Sequence, residues 1–517
     1  MSAITSAQLK KLRRNAFLLG TGFIIIIWSL LYLPNLRTAP SWYGDEILTL
    51  DIGKALTRGE LANRAVYCTF FSPTYNYQPE FAFLTGIFSR ITGGDILGGR
   101  FFSAIIGLLT GLTGFYLIGR KLGVLWGVFF ALVLLGYSQA IIHYRWIYPH
   151  DAVGLGVLGA VLLLMRPASS RTDWKAGGFL AIAAGSHLLV IHATFTALLC
   201  RIKRPRSWIP IGLPPAFVLT ASALLVWSFF HGWLFQDLHA LGDIYSRYSA
   251  ENGGGIRKLL NFTNFFLQDP FHILAFVGCL LCLRRRTYVI AIFAFLLTFL
   301  LTQNRQNLPL FYYQAMIVFP TLVAGITFGL HFLVSRILVI SKSFYSARRL
   351  LPALLLLAAL LNCLTSLPAV FSGNIITRVS PWVVSSTKDY DIAAEWINSH
   401  TTPDDLVIVY WTLGWQLHCR TADVLTATAW SGLPAGDYYP TPPEHARFRW
   451  DADFAKAKYF VLSDLDQRWA LAQGQALDAV RQAGIAKWPV IYTCGSTSVF
   501  ENPRFLVAPD TKDNPSK

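Results

Sequence analysis

Nine apolar runs, most of them close to the length of a membrane-spanning helix, constrain this chain more than any other feature. They fall at roughly 16–34, 101–119, 124–142, 152–165, 209–231, 266–283, 287–302, 310–333 and 350–370. A spanning helix needs about 20 mostly apolar residues. Apolar residues make up 54% of the 517 and charged residues only 14%, too few to clothe a soluble molecule of this size. The chain is therefore predicted to be an α-helical polytopic membrane protein. The first run follows Lys10, Lys11, Arg13 and Arg14 and is too long for a cleaved leader, so it is expected to stay as an anchor.

Two stretches are ambiguous by length. Residues 79–92 are too short to span and are read as an interfacial helix. Residues 176–200 are long enough for one tilted span but are interrupted by Gly185-Ser186-His187. Cytosolic loops of membrane proteins collect Lys and Arg. A hairpin of two short helices turning near Ser186 satisfies that rule and gives about 11 transmembrane helices. The N-terminus then lies in the cytosol and the C-terminus outside, as in a multi-pass protein of a prokaryotic plasma membrane. On this topology, segments 1–15, 119–123, 166–176, 201–208, 284–286 and 336–349 hold 20 of the 44 basic residues and one acid, Asp173. The net charge of +16 is thereby a consequence of topology. Nucleic-acid binding has no support.

Two outer regions stand out: a first loop over 34–100 and a tail over 371–517 of soluble composition. The tail reads as a small extracytoplasmic α/β domain. It has a helix at Tyr390–Ser399, strands at Asp405–Trp411 and Lys458–Ser463, a helix at Asp466–Ala483, and strands near 488–494 and 497–501. Cys419 and Cys494 both flank predicted strands, which makes a disulfide between them conceivable outside the cytosol. Cys279 and Cys282 form a lone C-x-x-C in an apolar run and read as packing residues. No cofactor motif is present, and a divalent metal has no support in the residue pattern.

Candidate chemistry gathers at the outer face. Asp45 and Glu46 follow the first span, where a carboxylate can take the proton of an attacking hydroxyl. The same Gly-Asp-Glu also suits a helix N-terminus, where acids are favoured by the helix dipole. Spacing alone leaves both readings open. The second outer loop runs from His143 through Tyr144, Arg145, Trp146, Ile147, Tyr148 and Pro149 to His150 and Asp151. Arg145 and the histidines could hold a phosphate that Asp151 helps to orient. An interfacial aromatic belt with a local Arg–Asp pair is the equally weighted alternative. Trp411 and Trp415 read as core residues of the tail that could also stack on a sugar. Tyr75 and Tyr77 are interface tyrosines of the kind that anchor a loop or line a sugar pocket.

Four segments, in order, resemble the GT-C superfamily of membrane glycosyltransferases, and within it glycosyltransferase family 39. They are Gly44-Asp45-Glu46; Gln78-Pro79-Glu80-Phe81 through Gly94 with Arg100-Phe101-Phe102-Ser103-Ala104; Arg145 through Asp151; and Arg305 through Tyr312 and Tyr313 to Pro320. That family includes protein O-mannosyltransferases and lipid A aminoarabinose transferases. The resemblance covers roughly residues 10–370, so it implies a GT-C-like catalytic domain over 1–370. It further implies transfer of a sugar from a polyprenyl-phosphate donor to a lipid, glycan or protein acceptor on the outer face, with inversion. Asp45 would be the base, supported by Glu46, with Asp151 as the second acidic site residue. Arg145, His143, His150 or Arg305 would hold the donor phosphate, with Tyr148, His187 and Tyr77 as further substrate contacts. The sequence departs from the aminoarabinose transferases at Leu48, Gln78 and His187, where they carry cations. Arg100 is expected to be structural. The rival from another class is a polytopic transporter or lipid flippase, which would place its charges at mid-membrane rather than at one face.

Overall fold

The structure, a computed structural model, describes residues 6–59, 79–230, 316–317, 319–340, 347–375, 383–435, 444–471 and 474–506, with isolated positions between 231 and 278. Within it the chain packs as two compact units. The first draws on Met1–Pro40, Gln78–Ser228 and Tyr245–Arg378; the second on Ser41–Tyr77, Phe229–Ile244 and Val379–Lys517.

The first unit is helical. It opens with α1 (Ser6–Tyr32), while α2 (Gly44–Leu56) belongs to the second unit. The short α3 (Pro79–Ile91) precedes α4 (Ile96–Leu122), α5 (Val124–Gly136), α6 (Ser138–His143) and α7 (Pro149–Leu164). Then come α8 (Ser170–Ala184), α9 (Val190–Cys200), α10 (Trp208–Phe230), α11 (Phe319–Ile340) and α12 (Ala347–Ser372). Five helices among the described residues are long and apolar enough to cross a membrane. They lie along α1, α4, α10 with the Pro205–Ser207 turn before it, α11 and α12, with shorter apolar helices at α5, α7 and α9. The expected runs at 266–283 and 287–302 lie almost wholly outside the described residues.

Exposed apolar side chains mark the faces that meet lipid. On α12, Leu350, Leu354, Leu357, Leu361 and Leu364 are all exposed at helical spacing. Its opposite face turns in at the buried Cys363, whose thiol donates to the Leu132 carbonyl at 3.3 Å, and the neighbouring Asn362 donates to the Gly136 carbonyl at 2.8 Å. Polar tethers of this kind recur, because a donor in hydrocarbon finds no water. Trp28 of α1 donates to the Ala104 carbonyl (2.8 Å), and Tyr32 to that of Leu135 (2.9 Å). Close approach uses glycine. A Cβ on Gly156 of α7 would sit 2.4 Å from the Phe179 carbonyl oxygen of α8.

The ambiguous stretch 176–200 turns back on itself. Residues 185–189 separate α8 from α9, and the two ends of the pair meet. Arg201 reaches both Asp173 (3.3 Å) and the Arg166 carbonyl (3.2 Å), and Arg204 reaches that of Ala168 (3.3 Å). At the basic end of α1, Arg13 donates to the Arg120 carbonyl of α4 at 3.0 Å.

In the second unit a five-stranded sheet carries the tail. After α13 (Thr387–Ser399) come β1 (Leu406–Ile408), α14 (Trp411–Gly414), β2 (Arg420–Ala422), α15 (Val424–Trp430) and β3 (Ala457–Leu462). A π-helical turn at Asp466–Ala470 leads to α16 (Gly474–Gln482), β4 (Val490–Cys494) and β5 (Thr497–Glu501). The strand order is β2-β1-β3-β5-β4, with β2, β1 and β3 parallel and β5 and β4 antiparallel. All three residues of β1 are buried, as a central parallel strand requires. The α13 helix and the β3, β4 and β5 strands match the expectation. The strand expected over Asp405–Trp411 is cut to three residues by α14, and the helix expected over Asp466–Ala483 is broken in two. The disulfide expectation fails. Cys419 and Cys494 are not joined to each other and lie at opposite edges of the sheet, one before β2 and one ending β4. Four strand spacings, roughly 19 Å, separate those edges, whereas a disulfide needs Cα atoms within about 7 Å.

Candidate functional site

In the second unit, the first loop joins the tail through α2. The extended Tyr43 precedes the helix and pairs with Val383 in an antiparallel bridge, while the Val384 amide donates to the Trp42 carbonyl at 3.0 Å. Trp42 is fully buried, its ring 5.6 Å from Trp415 and 6.4 Å from Tyr390. Trp411, 6% exposed, donates its indole N–H to the Gly44 carbonyl at 3.0 Å. Both tail tryptophans are thus packing residues. Lys54 of α2 lies 5.5 Å over the Trp415 ring.

The two adjacent acids have different surroundings. Glu46 is fully buried, and its Oε1 accepts the Tyr43 amide at 2.9 Å, the return half of a capping box. Asp45 is exposed, with Tyr43 Oη donating to its Oδ2 at 3.4 Å. Capping therefore claims Glu46, and Asp45 is the carboxylate that a solute can reach. The same helix buries a third acid that sequence reasoning passed over, Asp51, 3% exposed and in register with Gly44 two turns earlier.

In the first unit, residues of the 143–151 segment converge around aromatic rings. The His143 ring lies 5.8 Å from Trp146 and 5.7 Å from Tyr148, Tyr148 lies 6.0 Å from His150, and His150 lies 4.6 Å from His187. The sequence-predicted His143, Tyr148, His150 and His187 are thus brought together, the last delivered by the 185–189 turn. Asp151 sits in the first turn of α7 behind Pro149, a helix start favoured for both residues. It is fully buried, and neither carboxylate oxygen has a hydrogen-bond partner among the described residues.

Arg145 is fully buried and donates to the carbonyls of Ala39 (2.8 Å), Leu31 (2.8 Å) and Pro34. Three of its five N–H groups are thereby committed to the backbone, one on each guanidinium nitrogen. Arg100, also fully buried, donates to the carbonyls of Leu36, Arg37 and Pro40 at 2.9–3.2 Å. It is structural, and what it locks is the 36–40 turn. Both arginines staple the chain where it leaves α1.

Glu80 is a residue of the first-unit group to which the sequence assigned no role. It accepts a hydrogen bond from Ser222 of α10, and Gly185 packs against it so closely that a Cβ there would lie 3.3 Å from its own Cβ. An acid at the start of an otherwise apolar helix was the available signal. Tyr77 and Arg305 lie outside the described residues. Among the described residues no group of three or more His, Cys, Asp or Glu side chains is placed to hold a metal ion.

The overall path of the chain matches solved structures. ArnT from Cupriavidus metallidurans bound to undecaprenyl phosphate superposes with a TM-score of 0.60, covering 95% of this chain and 99% of that one at 17% identity. The fold is that of the GT-C glycosyltransferases. The apo form of the same ArnT gives 0.53 at 15% identity, covering 93% and 97%. The oligosaccharyltransferase AglB from Archaeoglobus fulgidus, in complex with an inhibitory peptide and a dolichol-phosphate, gives 0.50 at 13% identity, covering 95% of this chain and 74% of that one. No known family profile matches the chain, and no curated protein sequence matches it.

Proposed function

We propose that the protein is an inverting membrane glycosyltransferase. It takes a sugar from a polyprenyl-phosphate donor and passes it to a lipid, glycan or protein acceptor on the extracytoplasmic face. The observation that carries this reading is the division of labour between Asp45 and Glu46. Glu46 closes the cap, and the exposed Asp45 is held on a buried frame at a helix start. The GT-C fold and the undecaprenyl phosphate in the ArnT structure support the donor class.

In the proposed reaction the Asp45 carboxylate takes the acceptor's hydroxyl proton as its oxygen bonds to the sugar C1. The bond from C1 to the phosphate oxygen breaks on the opposite face, polyprenyl phosphate leaves, and the anomeric centre inverts. The leaving phosphate needs donors preorganised around it. His143, Tyr148, His150 and His187 are the proposed donor-side contacts, with Arg305 and Tyr77 further candidates and Asp151 the second acid. The proposed organisation is a catalytic membrane domain over 1–370 and an outer α/β domain over 371–517.

Asp45→Asn keeps size and polarity but removes the basic oxygen. Turnover in membranes is expected to fall ~100-fold or more while the protein accumulates normally. Normal turnover by this variant would falsify the assignment. Mass spectrometry of lipid carried through purification should find a polyprenyl-phosphate sugar and so name the donor.

A further inference from the structure

We propose that Trp411 is a positioning residue for Asp45, so that the tail's sheet sets the geometry of the carboxylate on the first loop. The inference rests on the reading of Asp45 as the base. Trp411 comes three residues after the last residue of β1, beyond the carboxyl end of a parallel strand, the edge where open α/β sheets present their functional groups. Its indole N–H reaches the Gly44 carbonyl, 367 residues away in sequence, at 3.0 Å. Gly44 begins α2, and the next residue is Asp45.

The fit around this bond is close. The Tyr410 ring stacks on Trp411 with centroids 4.0 Å apart, and a Cβ on Gly44 would stand 3.3 Å from the indole nitrogen. A glycine carbonyl has two lone pairs, and a helix uses only one of them for its own ladder. The indole therefore adds a lateral tether without competing with the helix. Three consecutive residues ahead of Asp45 are thus held by the tail: Trp42 by the Val384 amide, Tyr43 by the bridge to Val383, and Gly44 by Trp411. The first two fix the approaching strand. The third holds the first residue of the helix itself, next in sequence to the exposed carboxylate, and so acts on the direction in which that carboxylate points. Displacing a catalytic group by about 1 Å can cost on the order of 100-fold. A single neutral tether should account for part of that.

The test replaces Trp411 by Phe in the full chain, in membranes, which keeps the ring and removes the donor. Two readouts follow. Hydrogen–deuterium exchange over residues 42–50 should quicken roughly tenfold, while β3 and β5 stay protected. Turnover is read as release of undecaprenyl phosphate from synthetic undecaprenyl-phosphomannose, -glucose, -galactose or -arabinose, using whichever the wild type consumes. There kcat should fall about tenfold with KM within about twofold. A merely structural role would not split the two constants. If Trp411→Phe fails to accumulate, Gly44→Ala crowds the indole from the other side and should give the same split and the same faster exchange. Unchanged exchange over 42–50, or wild-type turnover alongside an inactive Asp45→Asn, overturns the positioning role and leaves the base assignment standing. Wild-type turnover in both Trp411→Phe and Asp45→Asn removes the base assignment itself.

Discussion

Side chains that look alike in the sequence take up different work once their partners are known. Asp45 and Glu46 are adjacent acids, and spacing could not say which caps the helix and which faces solute. The answer depended on Tyr43 being drawn into a bridge with Val383, 340 positions away in the chain. Arg145 was legible as an important cation, but its partners were not. They are carbonyls of the α1 exit, which no local pattern announces. That geometry carries a prediction. Lys has the charge of Arg but not its planar fork, so Arg145→Lys leaves at least one of the three buried carbonyls without its charged donor. Each such bond is worth about 1.5–3 kcal/mol. The melting temperature of the detergent-solubilised protein should drop by several degrees, and Arg145→Ala should fall further. If Arg145→Lys melts like the wild type while losing activity, the residue serves a phosphate and not the fold.

Elements were legible where a period or a break was strong. The turn inside 176–200 could be read from Gly185-Ser186-His187 together with the charges at both ends, and the structure closes it with Arg201 on Asp173. Strands β3, β4 and β5 stand out by their β-branched and aromatic residues, whereas β2 has three residues and no pattern to find. The expected helix does start near Asp466, which is buried and closes a capping box with Ser463 after β3, but it winds as a π-helix over Asp466–Ala470 and does not run on as one α-helix. The Asp466 Oδ2 accepts the Ser463 amide and hydroxyl at 2.9 and 2.6 Å. Burial pushes its carboxyl up to about 7, with Asp423 and Asp464 adding to the rise, and burial pushes Asp423 up to about 6. Unfolded aspartates titrate near about 3.9. Between that value and the raised ones, the folded chain keeps protons that the unfolded chain has released. Stability then declines as pH rises from about 4 to about 7. The second unit, followed by intrinsic fluorescence in the full chain, should melt on the order of 5 °C lower at pH 8 than at pH 5. Asp466→Asn keeps an acceptor for Ser463 and should remove most of that difference. An unaltered slope in the variant would assign the pH dependence elsewhere.

Across the whole molecule, composition and charge made the membrane character and the helical fold legible, while the grouping of segments was not. Residues 41–59 and the tail are far apart in sequence, yet they pack in one unit through side chains such as Trp42, Trp411 and Trp415, each unremarkable on its own. Orientation is the property that the charges argue most directly. Each cytosolic Lys or Arg resists transfer across the bilayer, and 20 of the 44 basic residues fall in segments that share one side only if 176–200 is a hairpin. The hairpin, placed by that rule, is also built by contacts independent of it: Arg201 and Arg204 reach back to Asp173 and the Arg166 and Ala168 carbonyls. In the proposed orientation the basic N-terminal segment is cytosolic, and the eleven spans read from the sequence would carry Lys517 outside, and with it the unit that holds Asp45. A reporter that is active only in the cytosol, fused after Lys517, should be dark, and one active only outside should be bright. The same pair fused within the 201–208 loop should give the opposite result. Cytosolic activity at Lys517 would put Asp45 on the wrong face for a donor presented outside, and the proposed reaction would go with it.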